Sequence, residues 1–307
     1  MFASAPADAQ TFPNRPIRFL VSFAPGAFTD QIARTLGERF TAAWGQPVVV
    51  ENRPGAGGVV AAEMLVRAPA DGHTIQLMST GLAVNATLQS RLPFDPLRDL
   101  APVSFVGESP NILAVHPSLP VRTLQELIAL ARKRPGQLTF ATAGVGTSQH
   151  LAGELLKMMA KIDLVHVPYK GGPPAVADLV AGHVDMIFGA TATVAMSRAK
   201  RVRPLAVTSA QRSPALPEVA TAAEQGLPGY EAVAWYGVMA PAGTTKEVIA
   251  RLNAEMRRAL DDTELRARML EQTVVLRAST PEEFGTFFAH EIRRWAPVIR
   301  AAAMKPE

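Results

Sequence analysis

Short runs rich in β-branched and aromatic residues alternate with amphipathic stretches along this sequence, and no other feature restricts its fold as much. Residues 17–23 and 47–51 are predicted strands. Phe28–Trp44 between them is a predicted helix, because apolar residues recur at every fourth position. This alternation is typical of a mostly parallel sheet that is covered by helices on both faces. The predicted fold class is therefore α/β.

The alternation occurs in two series, which are separated by a proline-rich segment at residues 92–110. The second series opens with a strand at Ile112–Val115 and includes a helix at Ser148–Ala160. A short helix is predicted at residues 221–225. An apolar strand and three helical stretches complete the chain.

Two such series and a long helical C-terminal part indicate that the chain leaves its first domain and later returns to it. We interpret residues 12–111 and 235–307 as domain 1 and residues 112–234 as domain 2. Each domain is then a mixed sheet flanked by helices. Two crossings between the domains form a two-stranded hinge, which is typical of a clam-shell protein.

The N-terminal residues 1–11 lie outside both predicted domains. Ala7-Asp8-Ala9 fits the A-x-A pattern that signal peptidase cleaves, so we interpret this segment as the remnant of an export signal. A plain disordered N-terminus is the alternative. The chain has no cysteine, which fits either side of the inner membrane at this size. No stretch approaches the roughly 18 consecutive apolar residues of a membrane-spanning helix.

The formal net charge of +4 raises the local concentration of anions around the protein without specifying which anion. Nucleic acid is one candidate partner. The basic clusters at residues 132–134 and 198–203 lie at predicted helix ends, however, and have no interleaved aromatic residues on which bases stack. They are better interpreted as solvated helix surfaces, and we expect no nucleic-acid partner.

Three loops lie where a predicted strand ends and a helix begins, which is where open α/β sheets bind their ligands. They are residues 24–30, 79–81 and 142–150. Each has glycines that allow close backbone approach, hydroxyl groups, and free N–H groups at a helix N-terminus, where the dipole favours negative charge. An ordinary N-cap is the alternative for any one loop.

Other motifs exclude several classes of chemistry. Residues 55–58 resemble a dinucleotide-binding turn, but the next strand does not end in an acidic residue that would hold a ribose. The sequence has no P-loop, no G-x-S-x-G elbow and no cysteine nucleophile. His150 and Glu154 lie one helical turn apart, but further metal ligands are not evident. We expect neither a metal nor a catalytic site.

Six segments, in the same order, resemble the Bug or TctC family of solute receptors from tripartite tricarboxylate transporters. They are residues 18–30 (RFLVSFAPGAFTD), 50–58 (VENRPGAGG), 71–74 (DGHT), 141–146 (ATAGVG), 166–171 (HVPYKG) and 182–188 (GHVDMIF). The resemblance runs from about residue 13 to the C-terminus. It implies a periplasmic, type II Venus-flytrap binding protein that has no cofactor and is not an enzyme.

The resemblance also implies a ligand and a site. The ligand is a small organic carboxylate: a dicarboxylate, a tricarboxylate, an aromatic acid or an acidic amino acid. We expect a monomer that delivers it to transmembrane transporter subunits. Two opposed loops hold the ligand through backbone amides and water. The first set of residues is Pro25, Gly26, Ala27, Phe28, Thr29 and Asp30 with Ser79 and Thr80. The second set is Gly144, Gly146, Thr147 and Ser148 with Tyr169 and Asp185.

One departure from the family pattern bears on the ligand. The family usually has Pro-Gly-Gly in the first loop, whereas this chain has Ala27 followed by Phe28. Ala27 tolerates the turn only if its φ is negative. Phe28 either narrows the cleft and stacks on an aromatic acid, or packs against the helix below it. Two other functions remain as alternatives: a ligand sensor for a signalling partner, and an enzyme acting on a carboxylate.

Overall fold

A computed structural model of the protein describes residues 12–26, 28–89 and 91–305. Within these ranges the chain forms one six-stranded and one five-stranded sheet. The predictions for residues 1–11 and for the backbone of Ala27 fall outside the described residues. No helix in the described part of the chain has both the length and the apolar character needed to cross a membrane.

The first sheet combines three strands that pair in parallel with three that pair antiparallel. Its strand order is β11-β4-β10-β3-β1-β2. The strands are β1 (Ile17–Val21), β2 (Val48–Asn52), β3 (Thr74–Ser79), β4 (Leu100–Pro110), β10 (Val233–Pro241) and β11 (Val275–Leu276). Strand β10 runs antiparallel to both β3 and β4. The carboxyl ends of β1, β2 and β3 lie together at one edge of the sheet, because these strands are parallel.

The second sheet has the strand order β7-β6-β8-β5-β9. Its strands are β5 (Ile112–Val115), β6 (Thr139–Thr142), β7 (Val165–Pro168), β8 (Met186–Gly189) and β9 (Arg203–Val207). Strand β6 is parallel to β7 and β8, whereas β5 is antiparallel to β8 and β9. The chain passes from the first sheet to the second through Asn111 alone, between β4 and β5, and returns with β10.

Helices cover both sheets. They are α1 (Phe28–Trp44), α2 (Val59–Val66), α3 (Thr80–Leu88), α4 (Leu124–Lys133), α5 (Ser148–Ala160), α6 (Gly172–Ala181), α7 (Thr191–Arg198), α8 (Lys246–Leu260), α9 (Thr263–Glu271) and α10 (Pro281–Ala301). A single 3-10 turn at Ala56–Gly58 precedes α2. The mixed α/β fold class that the sequence predicts is confirmed.

The hydrophobic core follows from the alternation of side chains along the strands. Phe19 and Leu20 are adjacent in β1 but belong to clusters on opposite faces of the first sheet. The second sheet has its own main cluster around Phe140 and Phe188. Helix α10 contributes to more than one cluster: Phe288 belongs to the cluster that contains Leu20, whereas residues beyond it belong to the cluster of the second sheet.

Three predicted features of the chain differ in the structure. The proline-rich segment contains the 11-residue strand β4, in which Pro102 lies opposite a register shift of β10. A proline is tolerated at such an irregularity, because its missing N–H is not needed there. Helices α3 and α7 were not predicted. Residues 221–225 form a turn rather than a helix. Thr221 forms a β-bridge with Val207, and the Ala222 amide donates a hydrogen bond to the Val207 carbonyl.

Candidate functional site

A cavity of about 340 Å³ is lined by elements of both sheets. From the first sheet and its helices, the lining takes Phe23, Ala56, Gly57, Ser79, Thr80, Gly81, Asn85, Leu88, Gln89, Ser109, Ala234 and Tyr236. Asn111 lies at the crossing between the sheets. From the second sheet, it takes Ala143, Val145, Gly146, Thr147, Ser148, Gln149 and Ala190. The volume is that of a pocket for a small organic molecule.

The N-terminus of α3 forms one wall of the cavity. Strand β3 ends at Ser79, whose backbone is extended and whose side chain makes no capping hydrogen bond. The first backbone N–H groups of a helix have no partner within the helix. Thr80 and Gly81, the first two residues of α3, line the cavity. The Thr80 hydroxyl also accepts a hydrogen bond of 3.0 Å from the backbone amide of Trp235 in β10.

The N-terminus of α5 forms the facing wall. Thr147 caps this helix, and its hydroxyl accepts a hydrogen bond from the His150 amide. The amides of Ser148 and Gln149, the first two helical residues, have no partner within the helix, and both residues line the cavity. The Gln149 side chain closes the loop from β6, since its Oε1 accepts a hydrogen bond of 2.6 Å from the Ala143 amide.

Two helix N-termini therefore meet at one cavity, one from each sheet. Each carries the partial positive charge of a helix dipole, which favours a bound anion. None of the described residues that line the cavity has a charged side chain. An anion is consequently stabilised by amides and hydroxyls and not by a counter-ion.

The glycine-rich loop at residues 55–58 lies beside the start of α3. Gly57 has a φ of 60°, and a Cβ atom there would lie 2.3 Å from Nδ2 of Asn85. A Cβ atom on Gly81 would lie 2.7 Å from the carbonyl oxygen of Gly57. The loop approaches α3 this closely because both positions are glycine. Sequence reasoning rejected residues 55–58 as a dinucleotide turn and did not assign them to the site, although they follow β2 at the same edge.

The structure brings together five of the residues that the sequence predicts for the site. Ser79, Thr80, Gly146, Thr147 and Ser148 all line the cavity. The structure does not place the other described candidates in the lining: Pro25, Gly26, Phe28, Thr29, Asp30, Gly144, Tyr169 and Asp185. Ala27 lies outside the described residues.

The loop before α1 is held by its own hydrogen bonds. The Asp30 carboxylate accepts from the Gly26 amide at 2.9 Å and from the side chains of Arg34 and Asn52. Burial opposes ionisation of Asp30, but these hydrogen bonds hold the pKa of its carboxyl below the ordinary value. The Phe28 ring packs 5.0 Å from the ring of Tyr236, which lines the cavity. Phe28 thus contacts the lining residue Tyr236 but does not itself line the cavity.

Tyr169 and Asp185 are occupied elsewhere in the second sheet. The Tyr169 hydroxyl donates to Asp178 at 2.6 Å. The Asp185 carboxylate accepts from the amide and the hydroxyl of Thr139, at 2.8 and 2.9 Å. Thr139 begins β6 and Asp185 precedes β8, so this contact lies at the amino ends of parallel strands. The cavity lies at their carboxyl ends, which explains why Asp185 does not reach it.

Two stacked histidine rings form hydrogen bonds with the loop at residues 142–147, which precedes α5. The rings of His150 and His166 are 3.8 Å apart. His150 Nδ1 accepts a hydrogen bond of 3.3 Å from the Gly146 amide, and His166 Nε2 bonds the Thr142 hydroxyl at 2.7 Å. Burial lowers the pKa of His150 to about 3 and that of His166 to about 4. Both rings are therefore neutral near neutral pH.

His150 and Glu154 lie one turn apart on α5 and contact each other. Nε2 of His150 and Oε1 of Glu154 are 3.8 Å apart. Across the described ranges, no group of three or more metal-ligating side chains lies together.

Comparison with known proteins gives the same class throughout. The family model described as the tripartite tricarboxylate transporter family receptor, TctC, matches residues 32–304. A protein from the tcbD-tcbE intergenic region of Pseudomonas sp. strain P51 is 43% identical over 94% of this chain and 86% of its own length. BugT of Bordetella pertussis is 39% identical over 98% of this chain and 94% of its own.

Solved structures agree with these relatives. The R. palustris protein Rpa4515, solved with adipate, has a TM-score of 0.84 and 34% identity, covering 96% of this chain and 100% of its own. MatC from Rhodopseudomonas palustris, solved with bound malate, has a TM-score of 0.80 and 33% identity, covering 94% and 100%. The periplasmic binding protein BugD has a TM-score of 0.81 and 31% identity, covering 96% and 100%.

The two sheets, the cavity between helix N-termini and these relatives define a solute-binding receptor and not an enzyme. The chain belongs to the TctC family, also called Bug, whose members are periplasmic binding proteins. The family resemblance read from the sequence is confirmed.

Proposed function

We propose that this protein captures a small organic carboxylate in the periplasm and delivers it to the membrane subunits of a tripartite tricarboxylate transporter. The observation that carries the proposal is the meeting of the N-termini of α3 and α5 at one cavity without a charged side chain in its described lining. Amides and dipoles at this site favour a carboxylate. Adipate and malate are bound in two related structures, and the same ligand class is proposed for this chain.

The number of available donors is sufficient for micromolar binding. A hydrogen bond to a charged group contributes about 1.5 to 3 kcal/mol. Four helix N-terminal amides and the surrounding hydroxyls together offset the cost of ordering a small ligand and leave roughly 8 kcal/mol, which corresponds to a micromolar dissociation constant. An arginine is not required. The apolar part of the lining, with Leu88, Val145 and Tyr236, accommodates the carbon chain or ring of the acid.

The two sheets belong to two lobes that close on the ligand in this proposal. We place the second boundary at Val233 and not at residue 235, because β10 of the first sheet begins there: residues 12–111 and 233–307 form the first lobe, and residues 112–232 form the second. Asn111 lies at the outward crossing, and its Nδ2 donates a hydrogen bond of 2.7 Å to the carbonyl of Ala232 at the return crossing. Because Asn111 also lines the cavity, ligand and hinge share a residue. The receptor acts as a monomer.

A charge-reversal experiment tests the proposal. Ser148→Asp places a carboxylate at the first position of α5, where it suits the helix dipole but repels an anionic ligand. We expect adipate, malate or an aromatic acid to raise the melting temperature of the wild type by several degrees at a hundredfold excess over its dissociation constant. Ser148→Asp removes this shift and leaves the melting temperature of the free protein close to that of the wild type.

Two controls make the result specific. Thr263→Asp introduces the same charge at the first position of α9, which is exposed and outside the cavity lining, and keeps the ligand-induced shift. Adipamide has the carbon chain of adipate without its charges and is expected to give no shift. The proposal fails if no acid stabilises the wild type, or if adipamide is as effective as adipate.

A further inference from the structure

Helix α10 packs against both sheets. Phe284 and Phe288, in its first half, belong to a core cluster on the first sheet. Trp295, Val298 and Ile299, in its second half, belong to the main cluster of the second sheet. The helix thus connects the two lobes in addition to the two backbone crossings.

A buried carboxylate lies between these two halves of α10. Glu291 is 2% exposed. Its Oε2 accepts two hydrogen bonds of 2.9 Å, one from the indole N–H of Trp235 in β10 and one from that of Trp295. Trp235 packs in the first-sheet cluster and Trp295 in the second-sheet cluster. A single oxygen atom therefore holds the indole of Trp235, which packs on the first sheet, and that of Trp295, which lies one turn further along α10 and packs on the second sheet.

Arg294 completes this arrangement by balancing the charge. It donates to Oε1 of Glu291 at 3.1 Å, and its guanidinium lies 4.8 Å from the ring centre of Trp295. Its other nitrogen donates to the backbone carbonyl of Glu231, in the segment that leads into β10. A buried carboxylate is costly unless it is paired and fully hydrogen-bonded, and Glu291 meets both conditions.

The arrangement is directly connected to the ligand cavity. The Trp235 amide donates to the hydroxyl of Thr80 at the N-terminus of α3. Ala234 and Tyr236, the neighbours of Trp235 in sequence, both line the cavity. Trp235 and two residues of the cavity lining are therefore neighbours in the same strand.

We infer that Glu291 is a positioning residue that sets the angle between the two lobes before a ligand binds. The inference rests on the proposed function, because it gives the lobes a closing motion. With Glu291 in place, the two indoles are held together and the lobes remain close to the binding-competent angle. When one hydrogen bond is lost, the lobes sample wider angles and the competent fraction falls, so the apparent dissociation constant rises in proportion.

Distance measurement in the ligand-free protein tests this inference. The chain has no native cysteine, so Val49→Cys and Val165→Cys introduce a defined pair of spin labels. These side chains are 49% and 43% exposed and lie on edge strands of the first and second sheets. We expect the pair to give one narrow distance distribution in the wild type and a broader one, with an added population, in Glu291→Met, which keeps the length of the side chain but has no oxygen to accept the indoles.

The controls separate a positioning role from a general loss of stability. Glu282→Met changes an exposed carboxylate on the same helix in the same way and keeps the narrow distribution. Trp295→Phe keeps an aromatic ring in the core and removes one donor to Glu291, and we expect it to broaden the distribution even if Glu291→Met does not fold. A folded Glu291→Met or Trp295→Phe variant with the wild-type distribution overturns the inference.

A second measurement distinguishes this inference from the proposed function. We expect the dissociation constant for adipate to rise about tenfold in Glu291→Met if the competent fraction falls to one tenth. Broadened distances in a protein that binds no acid support the role of Glu291 and contradict the proposed function. Unchanged distances in a Glu291 variant that binds adipate with wild-type affinity contradict the role of Glu291 and support the proposed function.

Discussion

At the scale of single residues, the titratable side chains that line or support the site are uncharged near neutral pH. Burial keeps His150 neutral, so that its Nδ1 accepts the Gly146 amide and supports the α5 loop. Tyr236 lines the cavity, and burial raises the pKa of its phenol to about 12. The sequence predicted Gly146 as a site residue, but nothing in its pattern indicated that a histidine four positions later holds the loop.

The buried histidines predict a loss of stability in weak acid. The folded-state pKa values of His150 and His166 lie below 6.5, so the unfolded chain takes up protons first as the pH falls. The free energy of unfolding is then full above pH 6.5 and decreases below it, by about 1.4 kcal/mol per pH unit for each titrating ring. Urea titrations between pH 4.5 and 8 measure this slope. His150→Gln reduces this slope by the contribution of about one proton. Equal slopes of unfolding free energy against pH for the wild type and the variant would contradict the lowered pKa of His150.

A substitution at Gly81 tests the cavity wall that the N-terminus of α3 forms. A Cβ atom there meets the Gly57 carbonyl at 2.7 Å, so Gly81→Ala displaces the 3-10 turn and weakens adipate binding about tenfold or more in calorimetry. Gly172→Ala is the matched control, because Gly172 also begins a helix but has no atom within 4 Å of an added Cβ. Equal affinities for the two variants would remove the turn from the site.

At the scale of elements, helix caps position the cavity amides. Predicted and observed bounds coincide for α1, β5 and α5, because local periodicity and capping determine them. Helix α3 was missed, since it is buried on several sides and its nine residues do not show one polar face. Strand β4 was missed because prolines obscure its pattern, and it forms through long-range pairing with β10.

The cap of α5 predicts separate effects on stability and on binding. Thr147→Ala and Thr123→Ala each remove a threonine that accepts a backbone amide at a helix N-terminus, and each should cost about 1 kcal/mol of unfolding free energy. Only Thr147 lines the cavity. Thr147→Ala therefore weakens adipate binding severalfold, whereas Thr123→Ala does not. Denaturant titration and calorimetry measure the two effects, and weakened binding in both variants would contradict the prediction.

At the scale of the whole molecule, elements of both sheets and the N-termini of α3 and α5 form a cavity whose described lining has no formal charge. The described lining contains side-chain amides, hydroxyls and backbone donors from both sheets. Its titratable phenol ionises well above neutral pH, and the histidines that support the loop ionise well below it. Under the proposed function, carboxylate binding therefore depends on the ionisation of the ligand and not on that of the site.

This neutrality predicts binding that is insensitive to pH. The dissociation constant for adipate should stay within about twofold from pH 7 to 9, and it should rise in acid as the ligand takes up protons near a carboxyl pKa of about 4. Calorimetry at several pH values measures it, in buffers with different ionisation enthalpies to detect proton transfer. An inflection between pH 7 and 9, or a proton taken up by the protein on binding, would contradict the charge-free site.

The sequence by itself determined the α/β class, the family and the strand-to-helix loops that supply Ser79, Thr80 and Thr147. The class and the loops depend on local periodicity, glycines and caps, which act over a few neighbouring residues, whereas the family followed from the resemblance of six sequence segments. Only the tertiary structure decided which loops meet. It brought Gly57, Ala190 and Tyr236 into one cavity and Trp235 and Trp295 onto one carboxylate. Those contacts join residues far apart in the chain, and the order in which strands pair decides them.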